Sequence, residues 1–328
     1  MHDFTLIAIE GGFGSSVAVS LDLLRGAASF APRAGAPQPR WRVCSVDGGA
    51  VSLQSGLQLA SQPLPPADED DRSTWIVPGL GLGSEEALQE GLQRPDVARL
   101  VDALRRHAAR GGRIAAGCSG VFLLGAAGLL AGRAATTAWW LAPLLQRLHP
   151  GCRVDATRMV REDGPIVTAG AALAQTDLML HLLRRTCGAK LVATVSRMLL
   201  VDAREAQSDY VVPEVLANGD ELVARIVARV EAALPDVPSV AALARDFCVS
   251  ERTLGRRVRR VTGHSTLALL QSVRLRKARS LLERSRMSVE QVAAAVGYDD
   301  PTALRRLMRK AGGASPSQYR PGADHARA

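Results

Sequence analysis

Residues 239–263 read SVAALARDFCVSERTLGRRVRRVTG. The stretch divides into a short helix begun by Ser239, a turn at Phe247–Val249, and a second helix over Glu251–Val261 begun by Ser250. Serine favours such starts, because its hydroxyl accepts a hydrogen bond from an N–H group of the first helical turn. Apolar residues recur in the second helix with the helical period, and arginines fill the other positions. The stretch therefore predicts a helix-turn-helix unit with a basic second helix.

The same pattern recurs about fifty residues later. Ser288 begins a short helix, Gly297 gives the turn a permissive backbone position, and Pro301 begins a basic helix over Thr302–Ala311. One long helix, Thr266–Arg284, is predicted between the two units. Two such units on a connecting helix would place two recognition helices in successive major grooves, about one DNA turn apart.

Side chains of the two basic helices are the predicted DNA contacts. Guanidinium groups can clamp phosphates or bind guanine edges through two hydrogen bonds. The candidates are Arg252, Thr253, Arg256, Arg257, Arg260, Thr302, Arg305, Arg306, Arg309 and Lys310. A single basic helix is often only a solvated face, but two units with matching caps, turns and charge favour DNA.

The charge of the chain is concentrated in this region. Residues 219–328 hold 20 of the 41 Lys and Arg residues and 11 of the 32 Asp and Glu residues, a balance of +9. Residues 1–218 hold the remaining 21 and 21, a balance of zero. A basic domain joined to a neutral one indicates that only the basic domain holds a polyanion. A length of 328 residues also favours two domains.

Residues 239–320 resemble the AraC/XylS-type DNA-binding domain. The resemblance is carried by the quoted stretch, by RLRKARSLLERS, and by VEQVAAAVGYDDPTALRRLMRKAGGASPSQYR, which closes with the pattern Gly313, Pro316, Tyr319 and Arg320. Leu307 stands where the family usually has an aromatic residue, a difference that concerns packing more than docking. The resemblance implies sequence-specific binding to double-stranded DNA and regulation of transcription.

The first 212 residues alternate strand-like and helix-like segments. Short apolar runs at Phe4–Ile9, Arg42–Val46, Thr74–Val77 and Arg113–Ala116 read as strands, and Val97–Arg110 has the helical period. Such alternation predicts an open sheet with helices on both faces. The predicted fold is thus a flavodoxin-like α/β sandwich followed by an all-α domain with two helix-turn-helix units.

Gly117-Cys118-Ser119-Gly120 joins a strand to a predicted helix over 119–130 and reads as a reactive-cysteine elbow. Residues 4–212 resemble the PfpI-like branch of the class I glutamine amidotransferase-like superfamily, through AAGCSGVFLLGAAGLLAGRAATT, VTAGAALAQTDLMLHLL and SRMLLVDAREAQSDY. The resemblance implies an exposed thiol with a lowered pKa beside a helix N-terminus, and an anion nest formed by the N–H groups of Ser119 and Gly120. It also implies an acid near the sulfur, for which Asp22 is the best match.

A general base is not found where this resemblance would place it. Hydrolytic or glyoxalase-like relatives have a Thr-Thr-His-Trp pattern, and this chain reads Thr-Thr-Ala-Trp-Trp with Ala138 at the histidine position. The preferred interpretation is a chain without enzyme activity, in which Cys118 lines a ligand pocket and Trp139 gives an aromatic wall. Cys118 as a small packing residue and Trp139 as a core residue remain open. The alternative function is a cysteine-dependent hydrolase or glyoxalase-like enzyme with a DNA-binding tail.

The predicted domains are a sensor over 1–212, a linker and connecting helix over 213–238, a DNA-binding domain over 239–320, and a tail over 321–328. The five cysteines are widely spaced and form no CxxC, which favours a reduced, cytoplasmic chain without a metal or cofactor. The longest apolar stretch, Val121–Ala131, is about half of the roughly 20 residues that a membrane span needs. The expected partners are DNA, a small-molecule effector and, from the resemblance, a second copy of the chain.

Overall fold

The computed structural model describes residues 2–81, 85–201, 204, 207, 220–262, 265–312 and 315–320. The chain divides into two compact units, residues 1–205 and 206–328. The predicted tail over 321–328, the first part of the predicted linker over 213–219 and the motif residue Gly313 lie outside the described residues.

The first unit is built on an eight-stranded sheet. Its strands are β1 (Phe4–Ile7), β2 (Trp41–Ser45), β3 (Asp47–Ser52), β4 (Gln58–Pro63), β5 (Thr74–Val77), β6 (Ile114–Gly117), β9 (Val160–Asp163) and β10 (Ile166–Ala169), while β7 (Ala134–Ala135) and β8 (Arg153–Val154) pair separately. The strand order is β3-β4-β2-β1-β5-β6-β10-β9. The six inner strands run parallel, and the edge strands β3 and β9 run antiparallel to their neighbours.

Helices cover both faces of this sheet. Helices α1 (Gly14–Ala34), α6 (Gln175–Cys187) and α7 (Ala189–Leu199) pack on one face, and α2 (Glu85–Leu92), α3 (Pro95–Ala109), α4 (Val121–Ala126) and α5 (Ala142–Leu148) pack on the other. Leu6 belongs to the first apolar core and Ile7 to the second, because successive strand side chains point to opposite faces. The predicted flavodoxin-like α/β sandwich is confirmed.

One predicted helix differs from the structure, and one pair of strands was not predicted. The predicted helix over 119–130 is a 3-10 turn at Cys118–Gly120 followed by α4, which ends at Ala126, shortly before Gly128 adopts a left-handed backbone with φ +76°. The β3–β4 hairpin was not predicted, because its strands are largely exposed and lack the apolar alternation of a half-buried strand. It lies at the sheet edge, where polar strands are stable.

The second unit is helical throughout the residues that the structure describes, and none of the described helices could span a membrane. It contains α8 (Glu221–Ala232), α9 (Val240–Asp246), α10 (Glu251–Thr262), α11 (Thr266–Arg284), α12 (Val289–Ala295) and α13 (Pro301–Gly312). Ser239 and Ser288 cap α9 and α12 as predicted, each accepting a backbone N–H at 3.1 Å. One apolar core joins α8, α9, α10 and the start of α11, and a second joins the end of α11 to α12 and α13. The predicted all-α domain with two helix-turn-helix units is confirmed.

Arg274 attaches the connecting helix α11 to the turn of the second helix-turn-helix unit. Its Nε donates to the carbonyl of Val296 at 2.8 Å, and a terminal nitrogen donates to the carbonyl of Gly297. Its guanidinium also lies 3.6 Å from the ring centre of Tyr298. These contacts attach the second helix-turn-helix unit to α11, the helix that follows the first helix-turn-helix unit. The two basic helices α10 and α13 therefore keep one relative orientation.

Candidate functional site

Three arginines form an exposed line along α10. Arg252, Arg256 and Arg259 are spaced i, i+4, i+7, which places them on one face of a helix. All three are exposed, and none of their side chains forms a hydrogen bond or salt bridge with another described residue. Leu254 and Val258 are buried in the apolar core of the unit. The charged face of α10 is therefore available to a polyanion.

An equivalent line lies on α13, fifty positions later. Thr302, Arg306 and Arg309 are exposed at the same i, i+4, i+7 spacing, and the side chains of the two arginines form no hydrogen bond or salt bridge within the described part of the chain. Leu304 and Met308 are buried at the positions equivalent to those of Leu254 and Val258. We call the two lines the recognition stripes. Because the two stripes share one register, both helix-turn-helix units expose the equivalent face of their second helix.

Other candidates on α10 are engaged within the domain. Arg257 Nε and an Arg260 terminal nitrogen donate to Oδ2 of the buried Asp220, at 2.5 and 3.3 Å. Both predicted DNA contacts are therefore engaged by an internal carboxylate, and their contact with DNA stays a prediction. Thr253 is half-buried, and its hydroxyl lies 2.9 Å from that of Ser250.

The α13 candidates also divide into engaged and free residues. Arg305 pairs with Glu290 at 2.8 Å, so it is not free either. The side chain of Lys310 lies outside the described residues. Arg259 belongs to a recognition stripe but was not predicted, although its i+7 spacing from Arg252 was visible in the sequence.

The elbow at Cys118 is present in the first unit. Cys118 follows β6 with φ +53°, a left-handed conformation that a non-glycine residue rarely adopts. Its N–H donates to the carbonyl of Gly170 at 2.8 Å, and the Thr137 hydroxyl donates to its carbonyl at 2.7 Å. These bonds hold a conformation that costs about 1–3 kcal/mol on its own.

Ser119 and Gly120 pack the elbow against the loop after β5. The Ser119 hydroxyl accepts the N–H of Leu80 at 2.8 Å, and both residues are buried. A Cβ atom on Gly120 would lie 2.6 Å from the carbonyl oxygen of Pro78, so this position requires glycine. Both residues thus have a structural role that the sequence did not show.

The environment of the thiol differs from the one expected. Burial raises the pKa of Cys118, and hydrogen bonds from the N–H and hydroxyl of Ser119 and from the N–H of Ala172 only partly oppose it. The expectation of a lowered pKa is therefore corrected. The physical reason is that burial disfavours the charged thiolate, and no cation is among the groups that act on the thiol.

Asp22 is not the acid beside the sulfur. Its side chain is exposed on α1, whereas Ser16 and Ser20 lie on the buried face of that helix. The Ser16 hydroxyl donates to the carbonyl of Ala172 at 2.9 Å, and Gln175 Nε2 donates to the Ser20 hydroxyl at 2.9 Å. The polar groups on this side of the elbow are therefore neutral, and their i, i+4 spacing on α1 was the signal that could have revealed them.

The residues at and directly after the histidine position of the related enzymes are apolar and buried. Ala138, at the histidine position of the related enzymes, is fully buried. Trp139 is buried and meets Trp140 edge to face, with ring centres 5.0 Å apart. A cavity of about 150 Å³ lies where β1 and β2 end, with Glu10, Ser45 and Asp47 in its lining, and none of the five candidate pocket residues lines it.

Alkylation should distinguish Cys118 from an exposed thiol. With iodoacetamide at neutral pH, we expect Cys118 to react about tenfold or more slowly than the exposed Cys248, because burial disfavours the thiolate that attacks the reagent. Peptide mass spectrometry over time measures both rates, and a Cys118→Ser chain confirms the assignment of the peptide. Faster labelling at Cys118 would show an activated thiol and contradict the raised pKa.

His107 is a core residue of the first unit. It is buried on α3 and stacks on Trp75, with ring centres 4.4 Å apart and planes 14° apart. Trp75 pairs with Ile114 at the start of β6, whereas Cys118 follows the end of that strand. His149 is packed over Gly125, where an added Cβ would lie 2.2 Å from its Nε2.

Acid should destabilise the first unit through these histidines. Burial lowers the pKa of His107, and also that of His149, from the ordinary value of 6.5. Below pH 6.5 the unfolded chain takes up protons that the folded chain resists, so stability is present above that pH and is lost as the pH falls. The unfolding midpoint followed by tryptophan fluorescence should therefore decrease from pH 8 to pH 5.5. A His107→Gln chain should show a smaller decrease, and an equal decrease would exclude His107 as a source.

Comparison with known proteins agrees with the two units. The DJ-1/PfpI family matches residues 39–185, and a helix-turn-helix domain family matches residues 243–322. The HTH-type transcriptional regulator GbdR of Pseudomonas aeruginosa is 29% identical over 286 residues, which cover 86% of this chain and 75% of that protein. GlxA of Rhizobium meliloti, another HTH-type transcriptional regulator, is 28% identical over 277 residues, which cover 83% of this chain and 82% of that protein. A crystal structure of an AraC family transcriptional regulator from Pseudomonas putida covers 61% of this chain and 100% of its own, with 24% identity and a TM-score of 0.49.

The fold and the recognition stripes define a two-domain protein with a DJ-1/PfpI domain followed by an AraC-type helix-turn-helix domain. The relatives that share both domains with this chain are HTH-type transcriptional regulators.

Proposed function

We propose that the protein is a cytoplasmic regulator that binds specific double-stranded DNA through its two recognition stripes. The observation that carries this proposal is the shared register of Arg252, Arg256 and Arg259 with Thr302, Arg306 and Arg309. Two faces of identical spacing on one connecting helix suit a ligand that repeats, and the duplex repeats once per helical turn. The names of the relatives support the same function.

In this proposal the PfpI-like domain has no catalytic role. It docks a small-molecule effector near residues 117–120, or it joins two copies of the chain into a homodimer. The positive φ of Cys118 supports a retained pocket-forming elbow, and the buried Trp139 is the proposed aromatic wall. The raised pKa of Cys118 and the alanine at position 138 support sensing over thiol catalysis.

The proposed division of labour follows the predicted boundaries. Residues 1–212 sense or dimerise, residues 213–238 connect, residues 239–320 bind DNA, and residues 321–328 form a tail. An effector with different affinities for two states of the first part would shift DNA binding by the second, as linkage requires.

Fluorescence anisotropy with DNA from upstream of the protein's own gene and of its neighbours tests the proposal. We expect one fragment to bind at least ~10³-fold more tightly than a scrambled duplex of equal length and composition. Equal binding to all fragments, with and without candidate effectors, would contradict sequence-specific regulation. The bound fragment then serves to screen effectors, and a Cys118→Ala chain tests whether the response depends on the elbow.

A further inference from the structure

A buried carboxylate engages the first recognition helix from outside the helix-turn-helix unit. Asp220 precedes α8 and is 4% exposed. Its Oδ1 accepts the N–H groups of Leu222 and Val223 at 3.2 and 3.4 Å, which caps α8. Its Oδ2 accepts from Arg257 at 2.5 Å and from Arg260 at 3.3 Å. One side chain thus begins α8 and binds two arginines of α10.

Capping alone does not explain a carboxylate at this position. Ser239 and Ser288 begin α9 and α12 with neutral hydroxyls. A buried carboxylate is costly unless cations and N–H groups compensate it, and here two backbone N–H groups and the guanidinium groups of Arg257 and Arg260 surround it. Burial raises the pKa of Asp220, but the hydrogen bonds from Arg257 and the backbone outweigh it, so the pKa is lowered. The carboxylate is therefore charged and holds its two partners.

The arginines held by Asp220 lie on a different face from the recognition stripe. Arg257 and Arg260 are one position beyond Arg256 and Arg259, which turns them by about 100° around the helix axis. Arg257 is 42% exposed and Arg260 is 69% exposed, so both could turn towards a polyanion if the carboxylate were removed. The equivalent of Arg257 on α13 is the apolar Leu307, so this arrangement occurs at the first recognition helix and not at the second.

We propose that Asp220 is a positioning residue that holds Arg257 and Arg260 away from DNA, so that α10 binds the duplex through Arg252, Arg256 and Arg259. This inference rests on the proposed function for its use of DNA. Asp220 thereby sets how many phosphates the first helix-turn-helix unit neutralises. Because phosphate contacts carry no sequence information, holding back two cations favours specific over non-specific binding.

The test is the salt dependence of binding to a non-specific duplex. An Asp220→Ser chain keeps a good N-cap for α8 but can no longer reach the arginines. We expect the slope of log affinity against log salt to become steeper by about 0.9 for each arginine that gains a phosphate, so by about 0.9 to 1.8. Circular dichroism checks that the helices of the variant are intact.

Two further chains make the result specific. Asp246→Ser removes another carboxylate of the domain, one that pairs with Arg229, and should leave the slope near that of the wild type. A chain with Asp220→Ser, Arg257→Gln and Arg260→Gln should also return to the wild-type slope, because the released cations are gone. In this triple variant no buried carboxylate is left unpaired.

The outcomes separate this inference from the proposed function. A folded Asp220→Ser chain with the wild-type slope, or a triple variant as steep as Asp220→Ser, overturns the positioning role. The comparison uses a non-specific duplex, so it is decisive even if no preferred fragment exists and the proposed regulation fails. Absence of binding by every chain to any duplex would overturn both.

Discussion

Replacing Arg256 and Arg306 with glutamine should strongly weaken binding to the preferred DNA fragment. The two residues occupy equivalent positions, and each lies in the middle of its recognition stripe. A single arginine that binds a base edge contributes about 1–3 kcal/mol, so each single variant should lose roughly 5- to 150-fold in affinity. The double variant should lose more than either one, because α11 presents both helices to the same duplex. Anisotropy titration at fixed salt measures all three.

Matched substitutions show whether the effect comes from position or only from charge. Arg25→Gln removes one positive charge from the exposed face of α1 and should leave the affinity nearly unchanged. Arg305→Gln removes a residue that pairs with Glu290 and should have a smaller effect than Arg306→Gln. Equal losses for Arg305→Gln and Arg306→Gln would mean that the stripe on α13 is not the contacting face.

The helix-turn-helix units could be predicted from the sequence because their signals are local. Ser239 and Ser288 fixed the helix starts, and the bounds of α11 agree with the predicted Thr266–Arg284. The partners of the arginines could not be predicted, because Asp220 lies 37 residues before Arg257 in the chain. Helical period alone identifies faces but does not identify what each face meets.

The elbow shows the same limit. Its strand-turn-helix pattern was visible in residues 113–126, and the fold around it was predicted from alternating segments. The pKa of Cys118 depends on burial and on the N–H of Ala172, which lies in a 3-10 turn more than fifty residues later. Asp22 was chosen by sequence position, but the helical period of α1 turns it to solvent and turns Ser20 inward. Local sequence therefore located the elbow but did not determine the pKa of its thiol or which polar side chains lie near it.

Gly297→Ala should strongly destabilise the second helix-turn-helix unit of the DNA-binding domain. Gly297 lies in the turn between α12 and α13 with φ +78°, where an L-residue costs roughly 1–2 kcal/mol. An added Cβ would also lie 2.2 Å from the carbonyl oxygen of Pro235, and relieving such an overlap costs about 1–3 kcal/mol. The turn would have to move away from Arg274, which binds its carbonyl groups. The second helix-turn-helix unit should therefore lose stability before the first helix-turn-helix unit.

Hydrogen exchange followed by mass spectrometry can resolve this loss within the intact chain. In the Gly297→Ala chain, peptides from α12 and α13 should exchange markedly faster than those from α9 and α10, since the two helix-turn-helix units have separate apolar cores. Gly255→Ala is the matched control, because Gly255 lies inside α10 and an added Cβ meets only the Thr266 hydroxyl at 3.9 Å. Alanine there should stabilise the helix by about 0.5–1 kcal/mol. If both variants exchanged like the wild type, the close approach of Pro235 to Gly297 would not be part of what holds the second recognition helix in place.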